Sequence, residues 1–137
     1  MKKIIAVFIL FFFACPVLAV NSYNKYGHKE GSYNVNSNGN ITEYDKYGAK
    51  KASYKKTSSG YNSYDKYGRK TGSFKETYSG YNSYDQYGRK TGSYKTNSNG
   101  VTTKYDEYGR KTGSFKKDST GTITEYDKYG RKVRSFK

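Results

Sequence analysis

YDKYGRKTGSFK, residues 64–75, is the phrase from which the rest of the chain is read, because it recurs at regular intervals to the C-terminus. It appears as YNKYGHKEGSYN from Tyr23, YDKYGAKKASYK from Tyr44, YDQYGRKTGSYK from Tyr84, YDEYGRKTGSFK from Tyr105 and YDKYGRKVRSFK from Tyr126. The starts lie 21, 20, 20, 21 and 21 residues apart, a period that belongs to stacked supersecondary units rather than to an irregular globular core. The last copy ends inside its repeat, at Phe136-Lys137.

Beyond residue 20 there is no Leu, Met or Trp, and the aliphatics are Val35, Ile41, Val101, Ile123 and Val133, with Ala49 and Ala52 beside them. Aromatic side chains, 18% of the sequence, must therefore supply most of the buried surface. A chain this rich in Lys, Gly, Ser and Asn resembles a disordered one in composition, but aromatics on a strict period predict ordered β structure.

Residues 1–19 differ in kind. Lys2 and Lys3 precede an apolar run from Ile4 to Phe13, and Val17-Leu18-Ala19 puts small residues three and one before a cleavage point, the pattern of a secretory signal peptide. The apolar run is shorter than a membrane-spanning helix needs, so no span is expected after cleavage. Phe12-Phe13-Ala14-Cys15 also resembles a lipoprotein box, with Phe12 departing from that pattern. Residues 20–137 then form a cysteine-free array of six repeats that forgoes disulfides. The expected location is extracellular or at the cell surface, with the periplasm as the other compartment open to an exported chain. A formal net charge of +15 favours anionic partners.

Each repeat carries two turn signals. In Asp65-Lys66-Tyr67-Gly68, Asp opens a type I turn and Gly takes the left-handed position, predicting a hairpin with a three-residue loop. The second signal is Asn38-Gly39 or Asn99-Gly100 in repeats one residue longer, read as two-residue type I′ loops. In the shorter repeats it is Ser58-Ser59-Gly60 or Tyr78-Ser79-Gly80, read as three-residue loops ending in Gly. This register sets Tyr33 opposite Tyr44, Tyr54 opposite Tyr64, Phe74 opposite Tyr84, Tyr94 opposite Tyr105, and Phe115 opposite Tyr126. With Tyr23 and Phe136 these form one aromatic face, while Glu43, Asp45, Lys51 and Ser53 point outward. A two-residue loop at the Tyr-Gly turn would shift that hairpin by one residue and exchange the faces. The expected fold is all-β: tandem β-hairpin repeats forming an antiparallel meander that coils into a spiral sheet or solenoid, stability growing with repeat number.

The core Tyr64-Asp65-Gly68-Arg69, repeated from Tyr84, Tyr105 and Tyr126 with a Gly-containing second turn, resembles the YD repeats of the RHS family. The resemblance covers residues 23–137 and implies hairpins joined into a strip that spirals into a shell. RHS proteins are usually far larger and enclose a C-terminal toxin, and no such cargo domain is present in these residues. Asn24 replaces the Asp in the first copy, and His28 and Ala49 replace the Arg in two copies, which marks the N-terminal units as atypical caps. A MORN-like hairpin array is a second, poorer comparison.

No catalytic constellation is apparent. His28 is the single histidine and stands where other repeats carry Arg, so neither a zinc site nor a nucleophile and base pair can be assembled, and no cofactor is expected. Asp45, Asp65, Asp85, Asp106 and Asp127 supply too few oxygens per unit for a calcium ladder, and turn formation accounts for them. The candidate site is the first turn. Tyr47, Tyr67, Tyr87, Tyr108 and Tyr129, with Tyr26 before them, are predicted at loop tips, followed by Arg69-Lys70, Arg89-Lys90, Arg110-Lys111 and Arg131-Lys132 in the last four copies. Rings stack on sugar or base faces and Arg binds carboxylate or phosphate, so the expectation is a secreted, non-enzymatic protein binding an acidic polysaccharide or another polyanion. The alternative is self-association, as a matrix subunit or functional amyloid built from strand-turn-strand units rich in Tyr, Asn, Gly and Ser.

Overall fold

The computed structural model describes residues 18–137; most of the expected signal peptide, and Cys15, lie outside them. Twelve antiparallel strands follow one another as a meander: β1 Leu18–Asn24, β2 Lys29–Val35, β3 Ile41–Asp45, β4 Lys50–Thr57, β5 Gly60–Asp65, β6 Lys70–Thr77, β7 Gly80–Asp85, β8 Lys90–Thr96, β9 Val101–Asp106, β10 Lys111–Lys117, β11 Ile123–Asp127 and β12 Lys132–Phe136. The all-β hairpin expectation holds, but the sheet closes into a barrel instead of spiralling, because β1 pairs with β12. The first repeat is therefore no cap. Closure also fixes the repeat number, in place of a stability that grows with each added unit.

The first turns form as the sequence predicts. Asp65 O accepts the Gly68 N–H at 3.1 Å and the Asp65 N–H donates to Arg69 O at 2.9 Å, closing a three-residue loop. Gly68 sits at φ 83°, a left-handed conformation that glycine reaches without a Cβ penalty. The second turns differ from expectation in both kinds of repeat. Asn36 N–H bonds to Asn40 O and Gly39 N–H to Asn36 O, so Ser37-Asn38-Gly39 is a three-residue loop of the same build as the first turn. In the shorter repeats Thr57 faces Gly60 and Thr77 faces Gly80, leaving the two-residue loops Ser58-Ser59 and Tyr78-Ser79. At Gly60 and Gly80 a Cβ would run into the carbonyl oxygens of Phe74 and Tyr94 across the next ladder, which is why glycine stands there.

The predicted second-turn pairings thus miss by one residue. Tyr33 faces Glu43, Tyr54 faces Ser63, Phe74 faces Ser83, Tyr94 faces Lys104 and Phe115 faces Glu125. Tyr44, Tyr64, Tyr84, Tyr105 and Tyr126 turn to the outer surface with Tyr23, each opposite a Ser of the neighbouring strand: Tyr44 opposite Ser32, Tyr64 opposite Ser53, Tyr23 opposite Ser135. Glu43, expected outside, is 3% exposed.

Inside, the even strands contribute six rings, Tyr33, Tyr54, Phe74, Tyr94, Phe115 and Phe136, all buried. Each lies between two odd-strand residues. On one side stand Val20, Ile41, Tyr61, Tyr81, Thr102 and Ile123; on the other stand Ser22, Glu43, Ser63, Ser83, Lys104 and Glu125. The barrel core is therefore layered, with apolar residues toward the second turns and a polar ring toward the Tyr-Gly tips.

A β-bulge in every tip hairpin completes the closure. Tyr44 faces Lys50 while Glu43 faces Ala52, so Lys51 is an extra residue, and Glu30, Thr71, Thr91, Thr112 and Val133 occupy the same place in the other hairpins. Bulges bend a strand and increase its twist, the curvature a closed sheet requires. Several bulge side chains turn toward the polar ring: Lys51 Nζ lies 3.2 Å from Glu43 Oε1, Thr71 Oγ1 donates to Ser63 Oγ at 3.1 Å, and Thr91 Oγ1 to Ser83 Oγ at 3.0 Å. The outward positions carry Ser, Asn, Thr, Lys and Tyr, the reverse of the apolar outer band of a membrane-spanning barrel.

Candidate functional site

An up-and-down barrel places all odd-to-even turns at one end, so closure gathers the six Tyr-Gly tips into a single rim. The tip tyrosines project from it: Tyr26, Tyr47, Tyr67, Tyr87, Tyr108 and Tyr129 are between 69% and 82% exposed. None folds back onto its own hairpin.

Each tip is built around one carboxylate or amide. Asp65 Oδ1 accepts the N–H groups of Tyr67 and Arg69 at 2.9 and 3.0 Å, and Asp65 Oδ2 accepts the Arg69 Nε–H at 2.7 Å. Asp85, Asp106 and Asp127 repeat this with Arg89, Arg110 and Arg131 at 2.8, 2.7 and 2.7 Å. Partial desolvation works to raise the Asp65, Asp85 and Asp106 carboxyls, and the backbone and guanidinium donors outweigh it, holding them below the usual carboxylate range. At Asp127 the Arg131 N–H is the leading cause of the same shift. These exposed pairs add little to stability. They do fix the direction of the guanidinium, which stays 73–75% exposed.

The pinned Arg then lies over the tip ring. Arg69, Arg89, Arg110 and Arg131 stand 5.2, 5.3, 4.9 and 5.2 Å from the centroids of Tyr67, Tyr87, Tyr108 and Tyr129. The residue before Tyr supplies a second cation: Lys25, Lys46, Lys66 and Lys128 lie 4.9 to 5.0 Å from their rings. Where His28 and Ala49 replace Arg, the preceding Lys covers the ring, and where Gln86 and Glu107 replace Lys, the Arg does. Every tip therefore presents at least one cation on an exposed aromatic face. Lys70, Lys90, Lys111 and Lys132 open the returning strands and are exposed beside the tips.

All thirteen residues expected at a polymer site, Tyr47, Tyr67, Arg69, Lys70, Tyr87, Arg89, Lys90, Tyr108, Arg110, Lys111, Tyr129, Arg131 and Lys132, fall on this one rim. Sequence reasoning placed Lys25, Lys46, Lys66 and Lys128 in the same Lys-Tyr-Gly turns but missed that they cover the rings. It also missed a second belt on the outer wall, where Lys55, Lys75, Lys95 and Lys137 lie 5.2, 5.2, 5.7 and 5.9 Å from the rings of Tyr64, Tyr84, Tyr105 and Tyr23. That belt depends on the outward turn of those tyrosines.

Below the rim the polar ring is charged on one side and small on the other. Glu43 accepts from the Tyr33 and Tyr54 hydroxyls at 3.3 and 3.2 Å, and Lys104 Nζ lies 2.9 Å from Glu125 Oε1. Arg134 occupies a place held by Gly in most repeats. Its Nε lies 3.0 Å from Glu125 Oε2, a charge contact without hydrogen-bond alignment, and its Nη1 3.6 Å from Glu30 Oε2. Toward β5–β8, where Ser63 and Ser83 take the places of the charged residues, a cavity of about 150 Å³ remains against Phe74, Tyr94 and Lys104. A wider groove of about 460 Å³ runs between the last tip and the first, lined by Lys25, Tyr26, Arg131, Lys132 and Arg134 with Glu30 and Asp127. The opposite rim, made by the second turns, is mainly Asn, Ser, Thr and Gly, with Tyr78 fully exposed. Comparison with known proteins finds no matching family model, no matching curated protein and no matching solved structure.

Proposed function

We infer that the protein is an exported, non-enzymatic binding module that holds an anionic polymer, an acidic polysaccharide foremost, across its tyrosine-cation rim at the cell surface or in the extracellular matrix. The observation that carries this reading is the repetition of one preorganised unit six times around a circle: an exposed ring, a cation on its face, and in four copies an Arg aimed by its own Asp. Pre-aimed side chains lose less entropy on binding, and weak contacts repeated along a polymer add through effective concentration. The reading takes the repeat as a relative of the YD repeat, closed into a ring. The rival reading, assembly into fibres, loses its template here, since each described strand is paired on both sides and a closed barrel offers no edge to stack upon.

Titration calorimetry against a uronic-acid or sulfated polysaccharide at several salt concentrations tests the proposal. Affinity is expected to fall steeply with salt and to drop tenfold or more when Arg69, Arg89, Arg110 and Arg131 are replaced by Ala. Binding that ignores ionic strength, or that survives those substitutions unchanged, would overturn it.

A further inference from the structure

We propose that β1 is an exchangeable strand, which leaves its own barrel and fills the same place in a second copy of this chain, giving a reciprocally strand-swapped dimer.

Three features meet at this element. Among the described residues, the β1–β12 seam is the only place on the second-turn rim where neighbouring strands lack a connecting loop. Its ladder runs only from Ser22 and Phe136 to Asn24 and Arg134, with Asn21 and Lys137 exchanging backbone hydrogen bonds of 2.7 and 2.9 Å beyond it. The loop-connected ladders at that end, such as Ala52–Thr57 against Gly60–Asp65, are longer.

The seam also repeats the register found elsewhere. Tyr23 faces Ser135 as Tyr44 faces Ser32 and Tyr84 faces Ser73, so β1 from another molecule makes the same contacts as the molecule's own strand. Val20, 3% exposed, and Phe136, fully buried, make an unfilled seam costly. An opened chain must therefore recapture a β1, its own at low concentration and a neighbour's at high concentration.

The third feature is the hinge. The loop that must straighten for exchange is the first tip, Asn24 to His28, where Asn and His replace the Asp and Arg that clamp tips three to six by an ion pair. Asn24 Oδ1 still accepts the N–H groups of Tyr26 and His28 at 2.9 and 3.0 Å, so this tip keeps its turn while lacking the side-chain clamp. At the tip end of the barrel, half-buried Arg134 reaches past β1 from β12 to the exposed Glu30 on β2, a charge contact that spans the seam.

The test places Tyr23→Cys with Ser135→Cys, an outward-facing pair directly across the seam, and oxidises the protein after refolding at rising concentration. The expected result on a non-reducing gel is a covalent dimer that grows with concentration, reduced several-fold when Asn24→Asp and His28→Arg supply the missing clamp. The control pair Ser32→Cys with Tyr44→Cys has the same register within a loop-connected ladder and is expected to give monomer alone. Monomer alone from the seam pair at every concentration would overturn the proposal, and so would equal dimer from the control pair.

Discussion

Lys104 Nζ lies 2.9 Å from Glu125 Oε1 inside the barrel, with both side chains less than a tenth exposed, and Arg134 shares the same carboxylate. In β5 and β7 the corresponding places are held by Ser63 and Ser83, and the place of Arg134 by glycine. The charged cluster is thus a replacement within a ring that serine can also complete. Removing one partner of a buried pair leaves an uncompensated charge and costs about 3–5 kcal/mol, whereas removing the whole set does not. Glu125→Ala is expected to destabilise by that amount in urea unfolding, and the triple change Lys104→Ser, Glu125→Ser, Arg134→Gly by clearly less. A triple variant as unstable as the single one would show that the charges hold the fold by themselves.

The tip aspartates give the protein an acid limit. Their folded carboxyls lie below the usual range, so the stability they contribute is present above the ordinary Asp value of about 4 and is lost as pH falls through the lowered folded values. Asp118 belongs to the same set, held down first by the Thr120 hydroxyl. Melting temperature is expected to fall below about pH 4. Asn24, Asn36 and Asn97 already form the same turn with an amide oxygen. Replacing Asp65, Asp85, Asp106 and Asp127 by Asn should therefore keep the fold and flatten the acid limb, at the expense of the aimed guanidinium.

The alkaline limit comes from the core. Burial first, and then the charges of Glu43 or Glu125, raise the Tyr33, Tyr54 and Tyr94 phenols far above the ordinary value, and burial with Glu76 raises Tyr61 and Tyr81. A raised folded pKa means that this stability is complete below pH ~10 and is lost as pH rises beyond it. Ultraviolet titration should show these five phenols ionising only with unfolding, as a step coincident with the loss of far-ultraviolet dichroism. Tyr33→Phe and Tyr54→Phe together should shrink that step.

The hairpin period, the tip turns and the rim residues are legible because each rests on local chemistry: Asp at the start of a turn, Gly at its left-handed position, Tyr between them. The second-turn register is misread when Asn38-Gly39 takes priority over Asn36, whose side chain accepts from Asn38 and Asn40 as Asp65 accepts from Tyr67 and Arg69. The signal is present, since Asn36-x-x-Gly39 copies Asp65-x-x-Gly68. The lumen charges are hidden for a different reason. A one-residue change of register exchanges the two faces of a strand, and nothing local marks Glu43 or Glu125 as inward. Closure depends on a contact between distant parts of the array, yet Asn21-Ser22-Tyr23-Asn24 already echoes Asn62-Ser63-Tyr64-Asp65 and supplies the strand that pairs with β12.

That echo makes the position of the chain ends a matter of choice. If β1 and β12 meet as any other second-turn pair does, Lys137 stands where Asn34 does and Val20 where Ile41 does, so Lys137 can be joined to Val20 through a short turn that copies Val35–Asn40, and new ends opened between Asn38 and Gly39. The Asn36 turn is exposed, so cutting it removes no buried contact. The permuted protein is expected to fold with the same near-ultraviolet signal from its packed rings and to unfold cooperatively, with a melting temperature within about 5 °C of the parent, the shift expected for a change of roughly 1 kcal/mol in a chain of this size. Loss of the near-ultraviolet signal with strand content retained would mean that the seam is not equivalent to the other ladders, and that β1 carries information the repeats do not.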